Sequence, residues 1–161
     1  MTRHEDVFGQ KAQVACFAPG RVNLIGEYTD LIGGDVLPMP LSRGITVTAS
    51  RATSGVHVFS TAEEAKLEIN LTQSRKNHWA DYLAGPLVMA RQVGVDIPPM
   101  NFMVDSNLPA GAGVSSSAAL EVATLKALFE LTGKGSSNTD IALLAQKAEN
   151  EFCGVKCGIM D

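Results

Sequence analysis

The stretch LPAGAGVSSSAALEVA, Leu108 to Ala123, sets two glycines and three consecutive serines directly before an alanine-rich apolar run. A helix N-terminus leaves its first backbone N–H groups without internal partners and carries the positive end of the macrodipole, so it attracts anions. Gly111 and Gly113 allow a tight turn and the close approach of a bulky ligand. Ser115, Ser116 and Ser117 can cap the helix or offer hydroxyls to phosphate or to Mg²⁺. The stretch suits the phosphates of a nucleotide. It equally suits a plain turn into a serine-capped helix. It is not a Walker A loop, because no lysine lies between Leu108 and Glu121, and Ser116 stands where G-x-G-x-x-G needs its third glycine.

A second cluster, APGRVNLIGEYTDLIGGD at 18–35, packs Arg21, Glu27, Asp30 and Asp35 among glycines and apolar residues. Charges buried in such company need partners, and pairing Arg21 with a carboxylate is the economical arrangement. Glu27 and Asp30 can accept hydrogen bonds as the carboxylates of a sugar site do; a surface turn with ordinary charges is the alternative. Asp161, after CGIM, and Glu149, twelve residues earlier, add two more carboxylates. Taken alone, Glu149 reads as a solvated helix charge.

These groups need a scaffold. A chain of 161 residues that is 45% hydrophobic can bury the core of one domain. Its net charge of −4 argues against a nucleic-acid partner and against an anionic membrane surface. No apolar run approaches the about 18 residues of a membrane span. The polar N-terminus, with both charge signs, has no signal-peptide pattern. Three cysteines, an odd count, fit reduced thiols and a cytoplasmic location. Cys153 and Cys157 lack the further ligand pair of a zinc site, so they read as buried or loop thiols.

The hydropathy pattern shows two short apolar runs, QVACFAPG and RVNLIGE, separated by a turn pair at Pro19-Gly20. A half-buried strand over 44–53 is expected to pair as a hairpin with GVHVFST, and AKLEIN and MNFMVDS are further strands. Helical spacing runs from Trp79 to Val93, with a kink or a late start imposed by Pro86. A helix from about Ser115 to Leu131 ends at Gly133, and another covers 138–152 with Asn138 or Thr139 as N-cap. Strands first, then strand–loop–helix–helix, indicates an α+β fold.

Three stretches in order, GRVNLIGEYTD, LPAGAGVSSSAAL and ENEFCGVKCGIMD, resemble the galactokinases, members of the GHMP small-molecule kinase superfamily. The resemblance runs from about Ala15 to Asp161. It implies one domain over 1–161, a mixed β-sheet with helices packed on one side, with a sugar-binding segment at 15–45 and a phosphate loop at 108–120. It implies ATP-dependent phosphorylation of the anomeric hydroxyl of α-D-galactose, with galactose and ATP as ligands and Mg²⁺ as the metal. Asp161 matches the base that takes the hydroxyl proton, and Arg21 the arginine that offsets charge on the transferring phosphoryl group. Glu27, Tyr28 and Asp30 match sugar-binding positions, and Gly158 a backbone contact to the sugar. Gly111, Ala112, Gly113, Val114, Ser115, Ser116 and Ser117 match the phosphate cradle; Ser117 and Glu149 match the metal-holding pair.

Galactokinases usually read GEHTDYNGG where this chain reads GEYTDLIGG, so Tyr28 replaces a histidine and Leu31-Ile32 replace a Tyr-Asn pair. An amino-sugar or pentose kinase is the alternative that this departure raises. A non-catalytic galactokinase-like sensor is another, but such sensors have a shortened serine loop and SSSAAL is complete here. His4, His57 and His78 match no catalytic position of the family and read as surface or packing residues. Such kinases are roughly twice this length, so the chain is expected to be an N-terminal portion without its C-terminal domain, inactive by itself.

Overall fold

In a computed structural model the described residues are 2–109 and 111–161. Ala110, inside the expected phosphate loop, lies outside them. Five strands, β1 (Val14–Asn23), β2 (Pro38–Arg51), β3 (Val56–Ser60), β4 (Ala65–Glu68) and β5 (Met100–Ser106), form one mixed sheet in the order β1-β2-β5-β3-β4. The helices are α1 (His4–Phe8), α2 (Asp81–Gln92), α3 (Ser116–Thr132) and α4 (Asn138–Lys147). A 3₁₀ turn spans Thr29–Ile32, and a π-helical turn, Ala148–Phe152, continues α4. The fold is α+β, with the helices packed on one side of the mixed sheet.

Period-two alternation buries Ile45, Val47 and Ala49 of β2 while Thr46 and Thr48 stay partly exposed, as expected for a half-buried strand. Burial on both faces marks β5: Met100 to Val104 are all buried, the pattern of a central strand. That strand overturns the expected hairpin. β5 sits between β2, which it pairs antiparallel, and β3, which it pairs parallel. β3 takes β4 as its other neighbour. A strand that buries apolar side chains on both faces gains most from the middle of the sheet, so sequence neighbours β2 and β3 are parted.

The expected turn at Pro19-Gly20 is also absent. β1 runs through it as one strand, with only a register irregularity between Pro19 and Arg21. That irregularity absorbs the missing Pro19 N–H. α2 starts late, at Asp81, whose carboxylate accepts the N–H groups of Lys76 and His78, and it continues through Pro86. α3 ends at Gly133 in a left-handed conformation, close to expectation. α4 is capped by Ser137 rather than by Asn138 or Thr139: the Ser137 hydroxyl accepts the Asp140 N–H, and Asp140 answers to the Ser137 N–H. α3 packs on β1 and β2, and α2 and α4 pack on α3. Leu83, Leu87, Phe102, Leu125 and Leu128 form the centre of the core.

Candidate functional site

A cleft of about 620 Å³ opens where the end of β1, the loop before α3 and the segment after the π-helical turn converge. Arg21 stands at the junction. Its backbone N–H donates to the Val114 carbonyl at 3.1 Å and its Nη1 to the Gly113 carbonyl at 3.2 Å. Its Nη2 donates to the Asp161 carboxylate. The partner that burial demanded for Arg21 is therefore Asp161, 140 residues away, rather than Glu27 or Asp30. Ser115 Oγ donates to the same Asp161 oxygen at 2.7 Å. Two donors thus fix the orientation of one carboxylate.

Ser115 is the N-cap residue of α3, yet its side chain makes no cap hydrogen bond. It adopts φ +56°, a left-handed conformation that costs a non-glycine residue about 1 kcal/mol or more. The hydroxyl is turned to Asp161 instead, which leaves the first N–H groups of α3 facing the cleft without a serine cap. Gly111 and Gly113 have φ +68° and +65°, and a Cβ at either would meet nothing within 4 Å. Their need for glycine is conformational, since among the described residues no atom crowds either Cβ position. Gly111, Ala112, Gly113, Val114, Ser115, Ser116 and Ser117 all line the cleft.

Ser117 Oγ donates to Glu149 Oε1 at 2.7 Å. Glu149 is not the solvated charge that its position suggested: it is 4% exposed and lies on the π-helical turn. An added residue in the helical repeat rotates the following side chains, and such turns recur at functional sites. Among the described residues Glu149 Oε2 is buried without a hydrogen-bond partner, as is Oε2 of Glu121, a fully buried residue of α3. Burial, with the charge of Glu149 added, pushes the Glu121 carboxyl well above the usual carboxylate range. Cys153 Sγ lies 3.9 Å from Glu121 Oε1, and burial pushes its thiol up to about 12. It is therefore a neutral packing group. No cluster of three or more His, Cys, Asp and Glu side chains suited to a metal occurs among the described residues. The hydroxyl–carboxylate pair of Ser117 and Glu149, with its orphaned oxygen, nevertheless has the hard oxygen donors that Mg²⁺ takes alongside phosphate oxygens.

The other wall carries Glu27, Tyr28, Asp30 and Leu31, and the floor carries Gly158 and Met160. Tyr28 is 79% exposed at φ +62°. The turn around it is held by Thr29, whose hydroxyl lies 2.8 Å from the carbonyls of Gly26 and Asp35. Asp35 itself is not among the cleft-lining residues. Among the cleft residues not picked out from sequence are Asn23 and Lys156. Asn23 sits two positions after Arg21 on β1, on the same face, and both polar atoms of its amide are buried without partners among the described residues. That spacing was the available signal. Lys156 brings a cation to the floor, with no motif to mark it.

The chain matches the family model described as GHMP kinases N terminal domain over residues 81–161, and that described as galactokinase galactose-binding signature over 2–51. It is 43% identical over 145 residues to a galactokinase of Thermosipho africanus, an alignment covering 89% of this chain and 40% of that protein. It is 44% identical over 146 residues to a galactokinase of Thermococcus kodakarensis, covering 90% and 41%. The crystal structure of Lactococcus lactis galactokinase complexed with galactose superposes with a TM-score of 0.87 at 30% identity, over 98% of this chain and 42% of that one. The chain thus spans about 40% of the length of these relatives. This chain therefore belongs to the GHMP kinases, as their N-terminal domain carrying the galactokinase galactose-binding signature.

Proposed function

We propose that this chain supplies the sugar and phosphate sites of a galactokinase, which phosphorylates the anomeric hydroxyl of α-D-galactose at the expense of ATP. Residues 15–45 form the sugar-binding segment and 108–120 the phosphate loop of a single domain. The observation that carries the reading is the convergence of Arg21 and Ser115 on Asp161 at the mouth of the α3 N-terminus. A carboxylate fixed by two donors beside an anion-binding helix end is what phosphoryl transfer to an alcohol requires: a base at the nucleophile, and oriented amides at the phosphates.

In this reading Glu27 and Asp30 accept hydrogen bonds from sugar hydroxyls, Tyr28 flanks the sugar, and the Gly158 backbone touches it. The amides of Gly111 to Ser117 hold the phosphate oxygens. Ser117 and Glu149 hold Mg²⁺, which neutralises charge on the phosphates when bound. Asp161 takes the proton from the anomeric hydroxyl, whose oxygen bonds to the γ-phosphorus while the bond from phosphorus to the departing ADP oxygen breaks. Arg21 offsets charge on the transferring group from the side of Asp161.

The test is ADP release by the full-length protein over a sugar panel, with the product identified by ³¹P NMR. Turnover of galactose to galactose 1-phosphate is expected; absence of turnover with galactose, while another sugar is consumed, contradicts the reading. A kinase for an amino sugar or a pentose is the second reading. It is favoured by Tyr28 at the rim, with Leu31 and Ile32 exposed beside it.

A further inference from the structure

The stretch from Cys153 to Asp161 has no regular secondary structure, so side chains from elsewhere must hold it. At its near end Asn150 pins Cys157: Oδ1 accepts the Cys157 N–H at 2.9 Å and Nδ2 donates to the Cys157 carbonyl at 3.3 Å. At its far end Arg21 and Ser115 hold the Asp161 side chain. Between these anchors Asp30 reaches over from the opposite wall. Its Oδ2 accepts the Met160 N–H at 3.0 Å. Its carboxyl lies against Gly158 so closely that a Cβ there would fall 1.7 Å from Oδ2 and 2.1 Å from Cγ. Gly158 is buried and its φ is ordinary, so glycine is required at this position by the carboxylate and not by the backbone. Asp30 Oδ1 has no hydrogen-bond donor among the described residues.

Resting on the galactokinase reading, the geometry points to Asp30 as a positioning residue for Asp161: Oδ2 latches the backbone one residue before the base, Oδ1 is left for a sugar hydroxyl, and Gly158 makes room for the latch. Sugar recognition and alignment of the base then share one carboxylate. A charged acceptor on a backbone N–H makes a strong hydrogen bond, and a base displaced by about 1 Å forfeits on the order of 10²-fold in rate. Asparagine at position 30 keeps an oxygen for Met160, whereas alanine keeps nothing.

The experiment compares Asp30→Ala, Asp30→Asn and Gly158→Ala with wild type in the full-length protein, after thermal melting establishes that each is folded. Two readouts are taken: kcat and KM for galactose, and hydrogen exchange at the Met160 amide without ligand. The latch predicts that Asp30→Ala and Gly158→Ala lower kcat at saturating galactose by about 10²-fold and speed Met160 exchange by about 10-fold. It predicts that Asp30→Asn recovers most of kcat while KM stays raised. If saturating galactose restores kcat in Asp30→Ala, or Met160 exchange is unchanged in both disruptive variants, the proposal is overturned. Should the wild type turn over no galactose, the galactokinase reading falls on that control, and Met160 exchange alone decides the latch.

Discussion

The two walls of the cleft are built in different ways. The wall proposed to bind phosphate grows from α3, whose inner face is anchored in the core through Leu120, Ala123, Leu125 and Leu128, each at most 6% exposed. The wall proposed to bind the sugar is an arm of irregular chain between β1 and β2, with no buried residue in its 3₁₀ turn and with Leu24, Ile25, Leu31 and Ile32 all exposed. It is held by polar contacts from Thr29 and Asp30. Core burial fixes the first wall before any ligand arrives. The second contributes little to folding, so its residues can change with the substrate at small cost in stability. The departures from the galactokinase pattern that the sequence resembles fall there, at Tyr28, Leu31 and Ile32, and not in SSSAAL.

Substitutions can break or sharpen that contrast. The largest effect falls where the walls meet. Asp161→Asn in the full-length protein removes the proposed base and is expected to lower kcat by about 10³-fold or more; it should also lower the melting temperature, because the largely buried Arg21 loses its charge partner. A kcat within tenfold of wild type removes Asp161 from the reaction. Next, Leu125→Ala on α3 should cost about 2–5 kcal/mol in urea denaturation, whereas Ile32→Ala, 85% exposed, should stay within about 0.5 kcal/mol. Equal losses erase the distinction between the walls. Gly113→Ala forces a Cβ into φ +65° and should destabilise by about 1–2 kcal/mol while weakening nucleotide binding, measured by calorimetry. Because no atom of the described residues crowds that Cβ, the loop proposed to hold phosphate, not the core, takes the loss.

The smallest effect lies outside both walls. His4 is buried, with its ring 3.0 Å from Thr48 Oγ1 and 2.8 Å from Ser50 Oγ, and burial holds its pKa below 6.5. The unfolded chain therefore takes up that proton first. The stability His4 contributes is complete above pH 6.5 and declines as pH falls through its depressed folded value. The difference in urea midpoint between wild type and His4→Gln should narrow from pH 8 to pH 5; a gap independent of pH contradicts a neutral buried imidazole.

Much of this was readable before the structure, and the exceptions have physical causes. Local rules found β2, α3 and its Gly133 stop, because alternation, helical spacing and left-handed caps are properties of short windows. They could not place β5 between β2 and β3, since sheet order depends on which strand has two faces to bury. Nor could they foresee one strand running through Pro19-Gly20, or the Ser137 cap. In the site, charge and glycine patterning singled out Arg21, Glu27, Asp30 and the serine loop. The roles of Asp161 and Glu149 came from resemblance alone: one carboxylate finds Arg21 across 140 residues, and the other is turned inward by a π-helical turn that no local pattern announced. Asn23 escaped notice because its meaning lies in an orphaned amide, which only packing reveals.

The most direct test of the account is the distance from Asp161 to the sugar in a crystal structure of the full-length protein with galactose, Mg²⁺ and a non-hydrolysable ATP analogue. The anomeric oxygen is expected within hydrogen-bond reach of the Asp161 carboxylate, with the β- and γ-phosphates on the amides of Gly113 to Ser117. An anomeric oxygen bound far from Asp161, or phosphates seated away from the start of α3, would contradict it.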